Sequence, residues 1–253
     1  LNRIQAATDM LVLPHGGWVS ADARRLHVVD AEGQRSFAHG IEPPVMSVFA
    51  DREGRLWATG YGSIAWVEDG RVTSCTTSSP SDGLVRTLGQ SADGTLWFGG
   101  TSLLVSWKDG VWRERRAGDG VPKGDVRAMC ELANGDRWFS SYGNGLFRER
   151  GGELRVLPSA AALPTSELCG MVARGDVLWV NSNAGVFRVR VADLDDALDR
   201  GHVFVRHDRI DGEPQWQHIR QWVRCERLDG RDVRQRQYRQ HGNERVHVHP
   251  RRA

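Results

Sequence analysis

Two sets of side chains in this 253-residue chain have the types and spacing for ligand chemistry. The first recurs about every forty residues in short polar stretches: Thr59-Gly-Tyr61-Gly-Ser63, Gly99-Gly-Thr101-Ser102, Ser140-Ser-Tyr142-Gly-Asn144 and Asn181-Ser-Asn183-Ala184. Their hydroxyls and amides suit hydrogen bonding, and their phenol rings suit stacking, against a polar neutral ligand such as an oligosaccharide. Small polar residues also make tight turns, so each position keeps that second explanation open. The second set is Arg86 and Arg127, each following a valine in Val85-Arg-Thr-Leu and Val126-Arg-Ala-Met. Facing a common cavity, the pair would hold an anionic group through bidentate hydrogen bonds. Pairing with a carboxylate such as Asp125 is the alternative.

Catalysis has a thinner basis. Acid–base chemistry needs paired carboxylates at a set separation, or a histidine with an orienting partner. The carboxylates mostly fall in turns. His15, His27, His39, His202, His207 and His218 lie outside the three strongest repeats. Cys75, Cys130, Cys169 and Cys225 form no metal-ligand spacing, and we expect small buried apolar residues rather than disulfides. Cys130 and Cys169 are expected at similar points of successive repeats. No catalytic residue, cofactor or metal is expected, and the compartment cannot be read from the cysteines.

The elements that must position these residues are announced by tryptophan. Trp18, Trp57, Trp97, Trp138 and Trp179 recur at steps of 39, 40, 41 and 41 residues. The last four follow comparable turns: Asp51-Arg-Glu-Gly, Ser91-Ala-Asp-Gly, Leu132-Ala-Asn-Gly and Arg174-Gly-Asp. A repeat of about forty residues built from short strands and tight turns indicates a β-propeller blade. The expected fold is all-β, a propeller of four-stranded blades, with five blades near 9–40, 45–75, 85–116, 126–158 and 168–208. Asp69-Gly70, Asp109-Gly110 and Gly151-Gly152 are predicted hairpin turns, because glycine accepts positive φ without strain. The repeated indoles are expected as packing devices between sheets. Residues 192–200 are predicted as a short helix ahead of an outer strand at Val203–Arg206. The polar stretches would then converge at one end of a central channel.

The repeats resemble the two-component regulator propeller repeat, with its inner strand, Asp-x-x-Gly-x-Leu-Trp turn and strand, and following Gly-Leu strand. Degraded forms of that repeat's lead-in segment are Ser81-Asp-Gly-Leu84, Gly118-Asp-Gly-Val-Pro122, Ala162-Leu-Pro-Thr165 and Ile210-Asp-Gly-Glu-Pro214. The resemblance covers about residues 9–215. It implies the periplasmic sensor part of a membrane-spanning signalling protein, non-enzymatic itself, whose intact form carries a downstream kinase or cyclase module. No kinase, nucleotide-binding or cyclase motif occurs here. A propeller enzyme, lyase or glycoside-acting, and a protein-interaction scaffold are the other readings.

Two departures from the repeat stand out. Five blades leave open an incomplete ring, whose edge strands favour pairing with another chain, including a homodimer. After Trp216 the pattern collapses. Residues 219–253 hold ten arginines against Glu226, Asp229, Asp232 and Glu244, a surplus of +6 in a chain of net charge +2. The chain has only two lysines, Lys108 and Lys123, as expected of a GC-rich gene. Residues 216–253 therefore read as a degenerate or out-of-frame sixth blade, with a native disordered tail as the other option. A nucleic-acid partner is not expected. No apolar run reaches the length of a membrane span. The start does not resemble a signal peptide, and the chain is expected to begin inside a longer protein.

Overall fold

The computed structural model describes residues 9–13, 16–41, 45–76, 83–158, 163–201 and 207–209. They form five antiparallel four-stranded sheets, each running in sequence order from inner to outer strand. Blade 1 contains β1 (Asp9–Val12), β2 (Trp18–Ala21), β3 (Arg25–Asp30) and β4 (Gly33–Ala38). Blade 2 contains β5 (Ser47–Ala50), β6 (Leu56–Gly60), β7 (Ser63–Glu68) and β8 (Arg71–Thr76). Blade 3 contains β9 (Arg86–Gln90), β10 (Leu96–Gly100), β11 (Leu103–Lys108) and β12 (Val111–Arg115). Blade 4 contains β13 (Asp125–Glu131), β14 (Arg137–Tyr142), β15 (Gly145–Arg150) and β16 (Glu153–Val156). Blade 5 contains β17 (Leu168–Arg174), β18 (Val177–Ser182), β19 (Gly185–Arg190) and, after the helix α1 (Val191–Arg200), β20 (His207–Arg209). The inner strands of successive blades lie side by side. This is a β-propeller architecture.

The hairpins follow from local chemistry. Asp69 and Gly70 have φ of 50° and 74°, and Asp109 and Gly110 have 50° and 82°. Positive φ at both central residues is the type I′ turn, whose twist matches that of the flanking strands.

Packing between blades explains the tryptophans. Trp57 (0% exposed) joins Phe98 and Trp107 of blade 3, its ring centroid 5.6 and 5.2 Å from theirs. Trp97 (3%) meets Phe139 of blade 4 at 5.4 Å. Trp138 (0%) lies in one cluster with Leu178, Val180 and Phe187 of blade 5. Each indole thus faces the following blade. Burial of ~150–250 Å² per ring makes each contact worth a few kcal/mol.

The two outer members of the series depart from the expected role. Val19, not Trp18, packs with Val48 and Ala58 of blade 2. Successive side chains of a strand alternate between faces, and in β2 the set facing blade 2 is Val19 and Ala21. A slip of one residue turns a strand side chain to the other face, so Trp18 points away from blade 2 and is half-buried. Trp179 keeps its orientation, opposite Leu178 and Val180, and it too is only half-buried. No described sheet follows blade 5 to cover it.

Two smaller expectations also change. The outer strand of blade 5 is His207–Arg209, paired with Phe187–Val189 of β19, while Val203–Arg206 lie outside the described residues. Cys130 and Cys169 are not equivalent: Cys130 pairs with Trp138 at one end of β13, whereas Cys169 is the bulged residue at the other end of β17. Cys75, Cys130 and Cys169 are free thiols. Burial pushes the Cys75 thiol up to about 11 and that of Cys130 up to about 12, as fits residues used for packing. Residues 210–253, with Cys225 and the arginine-rich tail, lie outside the described residues, as do Ser81, Ala162 and Ile210 of the lead-in segments.

The predicted helix is present as α1. Leu194 and Ala197 (both 0% exposed) insert into the cluster of Trp138, Leu146 and Leu157 from blade 4. Asp195 receives Arg148 and Arg150, and Arg155 reaches Asp199 at 2.8 Å. The helix therefore fastens blade 5 across the outside of blade 4.

Candidate ligand-binding site

The loops after the second strands serve first as links between blades. Tyr61 forms a backbone bridge with Leu84, Thr101 with Asp125, and Tyr142 with Glu167. In each case the loop of one blade grips the lead-in to the next. Close approach there requires glycine. Gly124 has φ 97°, and a Cβ added to it would lie 2.3 Å from the carbonyl oxygen of Tyr142.

These loops surround the beginning of the inner strands, and that is where Arg86 and Arg127 sit. Bulges shape this end. Arg127 is the extra residue between Val126 and Ala128, and Cys169 is the extra residue between Leu168 and Gly170. A bulge re-aims the side chain it carries. Arg127 Nη1 consequently lies 3.8 Å from Cys169 Sγ, across the blade boundary. Its guanidinium carbon stands 3.9 Å from the Tyr142 ring centroid, a cation–π contact. Its Nη2 lies 3.4 Å from Asp125 Oδ2, and the other Asp125 oxygen accepts from the Thr101 hydroxyl at 2.7 Å.

The rim continues into blade 5. Asn183 Nδ2 donates to the Tyr142 hydroxyl at 2.8 Å and to Glu167 Oε2 at 2.7 Å. Arg127, Tyr142 and Asn183 are thus brought together, with Glu167, Asp125 and Cys169 among them. Asn181 lies beside this group, because it pairs across the sheet with Gly170, the neighbour of Cys169. Glu167 and Cys169 were not selected from sequence. A mark for them existed in their alignment with Asp125 and Arg127 two positions apart.

The remaining sequence-selected residues divide. Asn144 donates to the Lys123 carbonyl at 2.7 Å, so its amide secures the lead-in to blade 4. Thr101 is occupied with Asp125. Tyr61 is 51% exposed on the rim of blade 2.

Several buried polar atoms here have no protein partner: Arg86 Nη1, Arg127 Nε and Asn181 Oδ1. Burial, with the positive charge of Arg127 added, pushes the Arg86 pKa down, only partly opposed by Asp125. At the opposite end of the blades the charged groups are paired. There Arg137 binds Ser91 Oγ at 2.9 Å, Glu149 at 2.7 Å, and Asp93 and Glu131 at 3.2 Å each. Arg55 pairs with Asp51 at 2.6 Å, and that carboxylate also accepts Trp57 Nε1 at 2.8 Å. The carboxylates and guanidinium groups at that end are paired, although Trp138 Nε1 and Arg148 Nε there are buried without acceptors; the loop end holds two unsatisfied donors and an acceptor of its own.

Two carboxylates, Asp125 and Glu167, stand in this region, each engaged by a neighbouring side chain, and the histidines whose side chains are described lie elsewhere. His27 hydrogen-bonds Asp22 at 2.8 Å, and His39 bonds the Asp22 carbonyl at 3.1 Å, both within blade 1. His15, His202 and His218 lie outside the described residues. Among the described residues no cluster of three metal-ligating side chains occurs, and no helix is long and apolar enough to cross a membrane.

No protein-family model and no curated protein sequence matches the chain. Solved structures do. Virginiamycin B lyase from Staphylococcus aureus superposes with a TM-score of 0.63 at 16% identity, over 84% of this chain and 73% of the lyase. The extracellular domain of a protein assigned to a one-component system of B. thetaiotaomicron gives 0.58 at 12% identity, over 74% of this chain. The extracellular domain of a protein assigned to a hybrid two-component system of the same organism gives 0.55 at 11%, over 71%. The chain spans about a quarter of the length of each of these domains, 27% and 26%. The structural likeness takes in the group of signalling proteins that the repeat resembles. At these identities the shared property is the fold.

Proposed function

We propose that this chain is the ligand-sensing propeller, or part of it, of a bacterial signal-transduction receptor, acting outside the cytoplasm in the periplasm and without catalysis of its own. The observation that carries the reading is the cluster at the loop end, where Arg86, Arg127 and Asn181 hold buried polar atoms unpartnered near Tyr142 and Asn183. A ligand there would touch side chains from several blades at once. Binding one blade arrangement better than another would shift the population between them, and a downstream kinase or cyclase module would read that shift.

The lyase likeness raises the competing possibility of an enzyme. A catalytically inactive form of that lyase carries a histidine-to-alanine change. The histidines whose side chains are described here lie in blade 1, committed to Asp22.

Thermal-shift and calorimetric screening of neutral and acidic saccharides tests the reading. We expect a stabilising ligand whose effect is lost in Tyr142→Ala and Asn183→Ala. Turnover of a bound sugar, or binding indifferent to both substitutions, would refute it.

A further inference from the structure

The distribution of unpaired atoms specifies the ligand more narrowly, on the premise that the loop end is the ligand face. Arg127 has one carboxylate neighbour, Asp125, at 3.4 Å, which Thr101 shares. Glu167 is engaged by Asn183. Arg86 Nη1 and Arg127 Nε remain buried donors without acceptors, under mutual repulsion of two cations. A buried guanidinium N–H without an acceptor is costly, and an oxyanion supplies what both lack, since its oxygens accept several charge-assisted bonds together.

Asn181 Oδ1 poses the reverse demand. It is a buried acceptor without a donor, one strand away from the bulge of Cys169 that Arg127 reaches. A fully deprotonated inorganic anion such as sulfate offers it nothing. A hydroxyl on the same ligand would satisfy it. We infer that the site binds a hydroxylated carboxylate of the sugar-acid class, its carboxylate clasped between Arg86 and Arg127 and a hydroxyl donated to Asn181. Tyr142 is already held by Arg127 on its ring and Asn183 on its hydroxyl, so it serves to keep Arg127 in place.

Calorimetric titration with glucuronate, galacturonate, gluconate and glucose, at fixed ionic strength, tests this on the unaltered chain and on Arg86→Gln and Asn181→Ala. At least one of the three acids should bind, with glucose weaker by roughly tenfold or more, the scale of a charge-assisted hydrogen bond. Arg86→Gln should weaken the acid by a similar factor yet unfold no earlier than the unaltered chain, since it removes an unpaired cation. Asn181→Ala should narrow the preference for hydroxylated acids over acetate. Equal binding of glucose, no binding of any acid, or unchanged affinity in Arg86→Gln would overturn the inference. If neutral oligosaccharides still bind and Tyr142→Ala abolishes that binding, only the anion assignment falls. If no saccharide of either kind binds, the sensing reading falls with it.

Discussion

The recurrent tryptophans differ in one atom's surroundings, and this sets their individual worth. Trp57 Nε1 donates to Asp51 and Trp97 Nε1 donates to Ser91, each six residues earlier. At the same offset from Trp138 stands Leu132, and Trp138 Nε1 is buried without an acceptor. Trp57→Phe should therefore cost about 1–3 kcal/mol more than Trp138→Phe, because only the first loses a bond to a charged group. Chemical denaturation of both variants checks this, and equal losses would contradict it. A second residue-scale effect concerns acid. Desolvation pushes the Asp22 carboxyl up, but bonds from His27 and from the backbone N–H groups of Arg24 and Arg25 outweigh it, leaving it at about 2 against an ordinary 3.8. A depressed carboxyl stabilises fully above its unfolded pKa and loses that contribution as pH falls through the folded one. The melting-point advantage of the unaltered chain over Asp22→Asn should thus hold above about pH 4 and vanish towards pH 2. At this scale the sequence was legible where spacing repeats, as in Asp-Gly turns, and misleading at Trp18. The spacing of about forty groups Trp18 with the others, yet Val19 holds the forward-facing place in β2, and one place along a strand reverses the face.

Between elements, the contacts that matter are long in sequence, which limits what spacing can reveal. The helix α1 was visible in its Leu-Asp-Asp-Ala-Leu pattern, but its seat on blade 4 was not. That seat depends on Arg148, Arg150 and Arg155 lying more than forty residues away from their acidic partners. Leu194→Ala should cost about 2–5 kcal/mol, since the side chain is fully buried in the cluster that blades 4 and 5 share. Hydrogen exchange should then show faster opening in blades 4 and 5 than in blade 2. Uniform acceleration across all blades would mean that the helix does not act locally. The bulges of β13 and β17 were likewise hidden. No residue type marks Arg127 or Cys169 as the inserted position, and only pairing with β14 and β18 defines it.

For the whole molecule, the arrangement is directional. Blades 2 to 5 present the indole forward, so the forward face of blade 5 offers Trp179 half-buried, while blade 1 turns Trp18 to its rear face beside the exposed Met10 and Val12. The two ends of the inner strands also differ in their charges, with Arg55 and Arg137 paired to carboxylates at the Trp-turn end and Arg86 and Arg127 each keeping a buried, unpartnered nitrogen at the loop end. The central claim is that the second of these is where ligand acts. Hydrogen–deuterium exchange with and without a bound sugar acid tests it most directly. We expect protection in residues 60–62, 83–86, 100–102, 124–127, 142–145 and 166–170 together, since those backbones meet at one end, with the turns at 51–54, 91–94 and 132–136 unchanged. Protection confined to those turns, or to β2 and β18, would contradict it.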